Sequence, residues 1–219
     1  MPLLEATVLV AVLIMSVVVH EVAHAWQARR EGDDTAERLG RITLNPLRHI
    51  DPIGSIILPG LLAWQEGMIF GWAKPVPVNP LQYRQYVAGD IRVSLAGIAS
   101  NLLLATLATL AAGFVVKLRS LVGSMGGVTD VAIMTLDYAI YINLILAFFN
   151  LIPIPPLDGS HVLAHALPRE FAARYREMGR YGLLIVMALL FLAPRFMDFF
   201  LAPVSLLRGF ADQFIRLWI

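Results

Sequence analysis

The sequence predicts an α-helical, polytopic membrane protein with about four to five transmembrane helices, on three observations. The 219-residue chain is 58% hydrophobic and only 15% charged, where soluble domains carry roughly 25% charged residues. It holds several uncharged apolar runs close to or above the roughly 20 residues that a bilayer crossing needs. Its polar residues are gathered between those runs, in stretches punctuated by proline. The mean hydropathy of +0.71 agrees. A formal net charge of +1 offers no field of one sign that would draw nucleic acid or an acidic partner. With no cysteine, disulfides and thiolate metal sites are excluded, so a metal would have to be held by His and carboxylate.

Taken in order, Leu3 to Val19 is apolar except for Glu5, and its helix can run on to about Arg30. The opening Met1-Pro2-Leu3-Leu4-Glu5 lacks the basic region of a secretory signal, so this run is expected to remain as a span. Residues 31–89 then form a polar, Pro-rich, membrane-associated insertion. Within it, Leu39 to Leu44 (LGRITL) reads as a short strand stopped by Asn45-Pro46, so a strand or β-hairpin is expected here. Pro52 to Gln65, broken by Pro59-Gly60, suits a re-entrant or interfacial piece. Gly71 to Pro80 (GWAKPVPVNP) has too many prolines for a helix. It reads as a rigid loop, or as an extended edge on which an unwound substrate could add a strand.

Val93 to Val116 is a firm span without a charge, and Val131 to Ile152 is another that carries Asp137, Asn143 and Asn150. Tyr181 to Pro194 either joins Phe196 to Leu207 as one crossing or turns back at Pro194. The end of the chain, residues 196–219, is expected as a C-terminal helix, amphipathic on the surface or inserted. Residues 1–219 are read as a single domain.

Basic residues orient the bundle. Arg29, Arg30, Arg38, Arg41, Arg48, Lys74, Arg84 and Arg92 lie in or beside the first long connection, and Arg169, Arg174, Arg176 and Arg180 follow the third span. Only Lys117 and Arg119 flank the loop between spans two and three. The positive-inside rule puts the larger set in the cytoplasm and the N-terminus outside.

The chemistry sits at the cytoplasmic end of the first span, in His20-Glu21-Val22-Ala23-His24. On a helix His20 and His24 lie one turn apart and can face one metal ion. Glu21 follows the first ligand and can reach a water that the metal activates, as a general base must. Ionisable groups at membrane depth cost several kcal/mol, so three together call for a function. A third ligand should arrive at the same depth on the same side. Span three ends there, in the broken stretch Asn150 to Gly159 (NLIPIPPLDG). Asp158 is its acidic residue and would complete a two-His, one-carboxylate set with a fourth position left to water.

These segments together resemble the site-2 proteases, zinc intramembrane metalloproteases of peptidase family M50. The resemblance rests on HEVAH (His20 to His24), LGRITLNPLRHIDPIGSIILP (Leu39 to Pro59), GWAKPVPVNP and NLIPIPPLDG, in that order along the chain. It implies that His20, His24 and Asp158 bind one Zn2+ and that Glu21 is the catalytic base. It also implies that Asn150 positions substrate or stabilises the oxyanion. The expected activity is hydrolysis of peptide bonds in or near transmembrane helices, as in regulated intramembrane proteolysis, by a compact member without PDZ or CBS domains. Its partners would be transmembrane protein substrates and the lipid bilayer, with no nucleic acid. Its place would be the cell (inner or plasma) membrane, with the active site towards the cytoplasm.

Other readings stand beside this one. A catalytically silent scaffold that binds transmembrane helices would keep the architecture, although it has no need of Glu21. A metal transporter should spread ligands along several helices or repeats, and no repeat is evident. Asp158 could instead cap a helix starting near Ser160. His161 and His165 form a second i, i+4 pair that rivals the first for metal. His49 reads as a structural partner of neighbouring Asp51. Asn101 either bonds towards the site or joins two helices. Asp137 has a buried partner or lies near the outer interface, and Gly97 and Ala105 read as small residues that permit close helix packing.

Overall fold

In the computed structural model, residues 3–51, 74–123 and 127–218 are described. Among these residues three helices are long and apolar enough to cross a membrane: α1 (Leu3–Glu31), α3 (Tyr86–Val122) and α4 (Val128–Asn150). The first span therefore does carry His20 and His24 in its last three turns. A short helix α2 (Thr35–Arg38) follows it. After α4 come α5 (Gly159–Ala166), α6 (Arg169–Glu177), α7 (Gly182–Leu192) and α8 (Pro194–Arg216). Helices α7 and α8 meet at a bend of 86°, and only if this pair counts as one broken span does the number of crossings reach four. No fifth candidate exists among the described residues.

Packing is centred on α3. Its buried residues Asp90, Val93, Ser94, Gly97, Ile98, Asn101, Ala105, Ala108 and Ala112 recur every three or four positions, which puts them on one stripe. Towards its Asp90 end the stripe buries the polar groups of Asp90, Ser94 and Asn101; further along the buried residues are alanines. The alanines allow α4 and α8 to approach, with Ile140, Leu144, Val204 and Ala211 completing that core. The C-terminal helix is thus packed into the bundle on one face, and its polar face carries Arg208, which donates to the Asp137 carboxylate on α4 and to Asp212 at 3.1 Å. Asp137 therefore has a partner across helices. Lipid-facing positions remain apolar and exposed, as with Val10, Leu13 and Ile14 on α1 and Leu103, Leu107 and Phe114 on α3.

One expectation is corrected. Leu39–Leu44 is not a strand, and no strand occurs among the described residues. Gly40 takes a left-handed φ of +62°, and the amides of Gly40 and Arg41 bond back to Glu37 and Ala36. The turn swings the Arg41 guanidinium inward, where it donates to the carbonyls of Lys74 (2.9 Å) and Pro75 (3.3 Å). Among the described residues no second strand offers Leu39–Leu44 a ladder. His49 is buried, and its Nε2 donates to the Thr43 carbonyl at 2.9 Å. The predicted re-entrant piece Pro52 to Gln65 and the first residues of GWAKPVPVNP lie outside the described residues.

The rest of that proline-rich segment, Lys74 to Asn79, is extended and is strapped along the polar end of α1. Its hold comes from backbone amides: Lys74 donates to the His49 carbonyl at 2.9 Å and Asn79 to the buried Asp33 carboxylate at 2.6 Å. Arg84 donates to the Glu31 carbonyl at 2.8 Å, closing the strap against the end of α1. The Glu31 carboxylate in turn takes two bonds of 2.7 Å from Arg92 on α3. Such bidentate pairs fix orientation as well as distance.

Candidate metal centre

His20 and His24 point from α1 towards the same stripe of α3. The helical register brings their Nε2 atoms to 3.0 Å from each other. Asp158 reaches them from the broken end of α4, with Oδ2 at 3.1 Å from His20 Nε2 and 3.3 Å from His24 Nε2. Among the described residues this is the one place where three such ligand atoms converge. The predicted trio is therefore brought together, although Asp158 lies 134 to 138 positions away in the chain.

Both imidazoles have a fixed tautomer. His20 Nδ1 faces Asn101 Oδ1 at 2.5 Å and His24 Nδ1 faces the Val93 carbonyl at 2.7 Å. Each partner is an oxygen acceptor, so each Nδ1 carries the proton and each Nε2 presents a lone pair. Asn101 is held in this orientation because its Nδ2 donates to Asn143 Oδ1 at 2.7 Å. Asn143 Nδ2 donates onward to the Ser16 hydroxyl at 2.9 Å. Asn101 thus does bond towards the site, one of the two readings left open above.

Two lone pairs and a carboxylate oxygen crowded within 3.3 Å repel one another unless a cation lies between them. Asp158 Oδ2 is buried without a hydrogen-bond donor in good geometry. Its carboxylate makes no capping bond to α5, which weighs against the capping alternative. A tetrahedral zinc with bonds of about 2.0–2.1 Å would need ligand atoms about 3.3 Å apart, and the observed triangle is close to that. The space beside the triangle is kept by Gly97. A Cβ there would sit 2.5 Å from His24 Nε2 and 2.6 Å from His20 Nε2. The residues present therefore fit a zinc ion.

Glu21 is turned towards the strap, and its Oε2 accepts from the Val76 amide at 2.7 Å. The break after α4 is made by Pro153, Pro155 and Pro156. Gly159 closes it so tightly that any Cβ would run into the Leu151 carbonyl. Asn150, the last residue of α4, donates its Nδ2 to the Leu146 carbonyl at 2.9 Å and so is engaged on its own helix. His161 and His165 do not join a second three-ligand cluster; both face Asp90 on α3.

Residues 8–193 match peptidase family M50. The chain belongs to this family. Among curated relatives, it is 40% identical over 198 residues to "Putative zinc metalloprotease YwhC" of Bacillus subtilis (strain 168), covering 88% of this chain and 84% of that one. It is 35% identical over 182 residues to "Putative zinc metalloprotease Rip2" of Mycolicibacterium smegmatis (strain ATCC 700084 / mc(2)155), covering 81% of this chain and 64% of that one. The Rip2 protein of Mycobacterium tuberculosis (strain ATCC 25618 / H37Rv) is 32% identical over 206 residues, covering 93% of this chain and 74% of that one. No solved structure matches the chain. An M50 zinc metalloprotease in a chain with three apolar helices is an integral membrane protein, as the composition predicted.

Several members of the site were missed from the sequence. The Val93 carbonyl and the Val76 amide are backbone groups and leave no trace in residue identity. Gly97 was read only as a packing residue. Its position one turn before Asn101, on the helix that faces HEVAH, was the usable signal. Asp90 was not singled out, although it stands seven residues before Gly97 on the same face.

Proposed function

We propose that this M50 protein is an intramembrane endopeptidase that cuts peptide bonds in or near transmembrane helices of membrane-protein substrates, from a site towards the cytoplasmic side. The convergence of His20, His24 and Asp158 at 3.0–3.3 Å carries the reading. These three residues hold the zinc, which when bound polarises the scissile carbonyl and acidifies a water near it.

The remaining steps belong to the chain's own groups. Glu21, one residue from His20, takes the proton from the attacking water and passes it to the leaving amine. The Val76 amide tethers Oε2 and leaves Oε1 as the oxygen that moves the proton. Asn101 and the Val93 carbonyl keep both imidazoles in the tautomer that presents Nε2. Asn150 donates to the developing oxyanion once its amide turns away from Leu146, a role worth roughly 3 kcal/mol where such donors have been removed. A helical peptide bond is shielded by its own turn, so the substrate unwinds before cleavage. The extended Lys74–Asn79 strap, lying against the base, offers the unwound segment a strand edge. A count of four crossings would require α7 and α8 to act as one. The twelve basic residues around the insertion and after α4 support the cytoplasmic placement.

The test is Glu21→Gln in proteoliposomes with a single-span reporter substrate. Loss of cleavage with zinc still bound at one ion per chain is expected. Cleavage at the unaltered rate would remove Glu21 from the reaction. A wild-type protein that binds reporters without cutting any of them would favour the silent scaffold.

A further inference from the structure

Each first ligand is oriented by α3: His20 through Asn101, His24 through the carbonyl of Val93. The third ligand, Asp158, has no such direct partner on α3. It stands at the start of α5, an eight-residue helix, too short to hold its place by its own hydrogen bonds. What ties α5 to α3 is Asp90. This carboxylate is buried at 6% exposure, and its Oδ2 lies 2.7 Å from His165 Nε2 and 3.3 Å from His161 Nδ1. The two histidines are one turn apart, so a single oxygen grips both turns of α5. His165 is further boxed by the Tyr86 ring at 5.6 Å between centroids.

Asp90, Val93, Gly97 and Asn101 follow each other at intervals of three or four along one face of α3. That face therefore carries a contact for every ligand. We propose that Asp90 is a positioning residue for the metal centre, acting on Asp158 through His161 and His165 and so completing an outer set of three. The proposal rests on Asp158 being the third ligand. In other metal sites, outer partners of this kind are worth roughly 10- to 100-fold in metal affinity. Here the effect travels through a rigid two-turn helix instead of one hydrogen bond.

The experiment uses the full chain in detergent micelles, with zinc affinity read by chelator competition and site geometry by the visible absorption of the cobalt(II)-substituted protein. Asp90→Ala and His165→Ala are each expected to weaken zinc at least tenfold. The double variant should be within twofold of the weaker single, because both act through one contact. Cobalt absorption should fall towards that of a higher-coordinate site, since more than one water can enter where the carboxylate is displaced. A merely structural role would lower the unfolding temperature of the metal-free protein without changing the spectrum.

Zinc affinity within twofold of wild type in Asp90→Ala, or single losses that multiply in the double variant, overturns the proposal. If Asp90→Ala does not fold, His161→Ala decides the matter from the half-exposed side of the latch. At least threefold weaker zinc supports the latch, and unchanged affinity ends it. Asp158→Ala separates the two levels. Zinc lost in that variant but kept in Asp90→Ala refutes only the latch, whereas zinc kept in Asp158→Ala refutes the ligand assignment beneath it.

Discussion

Gly97→Ala tests whether the face of α3 shapes the metal centre. The added carbon would stand 2.5 Å from His20 Cε1 and from His24 Nε2 and 2.6 Å from His20 Nε2. Carbon atoms in contact need about 3.5 Å, so the rings or the helix must give by about 1 Å. The rings are poorly placed to yield. Their Nδ1 atoms are held at 2.5 and 2.7 Å by Asn101 and Val93, and both residues sit on the helix that carries the intrusion. Moving the helix away would loosen the same two bonds. Overpacking of this kind costs about 1–3 kcal/mol, and a site that tolerates only about 0.5 Å of misplacement loses its geometry. Zinc affinity should fall at least tenfold, and the metal-free protein should lose stability in the stated range. Chelator competition and thermal unfolding on the same preparation read both quantities. A Gly97→Ala protein that binds zinc and cleaves as the wild type does would refute the close approach of α3 to the imidazoles.

Further predictions address single contacts. Asn101→Ala leaves the His20 Nδ1–H and the Asn143 carbonyl oxygen without their buried partner, and zinc affinity should fall roughly 10- to 100-fold, measured by the same competition. Val76→Pro removes the amide that donates to Glu21 Oε2. A charge-assisted bond contributes about 1.5–3 kcal/mol, so kcat should drop roughly tenfold or more with zinc content unchanged. His161 lies outside the spans, and its pKa is raised above 6.5, chiefly by the hydrogen bond to Asp90, against the opposing effects of burial and Arg176. A raised folded value stabilises the protein below pH 6.5 and loses that contribution as pH climbs through the folded value. The difference in unfolding temperature between wild type and His161→Ala should accordingly shrink from pH 6 upwards. A difference that grows over this range would place the charge elsewhere.

The sequence disclosed whatever could be written as periodicity or as a ligand spacing. Long apolar runs located α1, α3 and α4, and a histidine pair one turn apart pointed to a candidate centre on the first of them. Asp158 was found by asking which acidic residue returns to the same depth, an argument from topology that needs no contact map. What stayed hidden depends on the backbone or on register between helices. Nothing in the identity of valine announces that the Val93 carbonyl or the Val76 amide will face a functional side chain. Leu39–Leu44 looked like a strand because strand signals are judged locally, while the backbone turns at Gly40, with a left-handed φ that the residue identities alone do not announce. Asn101 could be read either way until the rotation of α3 against α1 was fixed, and the same rotation decided Gly97 and Asp90.

Polar groups at membrane depth cost several kcal/mol each when left alone, and here they form a connected series. Ser16, Asn143, Asn101 and His20 are joined by hydrogen bonds from the middle of the bundle to the ligand triangle, and the Val93 carbonyl holds His24 there. Asp158 joins the triangle from the other side, and α5 carries the connection on to Asp90. Such a series is stabilising only when every member is satisfied, because the low dielectric that strengthens each bond also raises the penalty for a missing partner. The two Nε2 lone pairs and the Asp158 oxygen are the members that no protein donor satisfies, and they are the ones that face one another. The cation is thus the group that closes the network. Its removal should loosen α1, α3 and α5 against each other and should not merely switch off hydrolysis. Amide exchange on α5 and on the last turns of α1, faster in the chelator-treated protein than in the zinc-loaded protein, is the expected signature, and identical exchange in the two would show the network to be complete without metal.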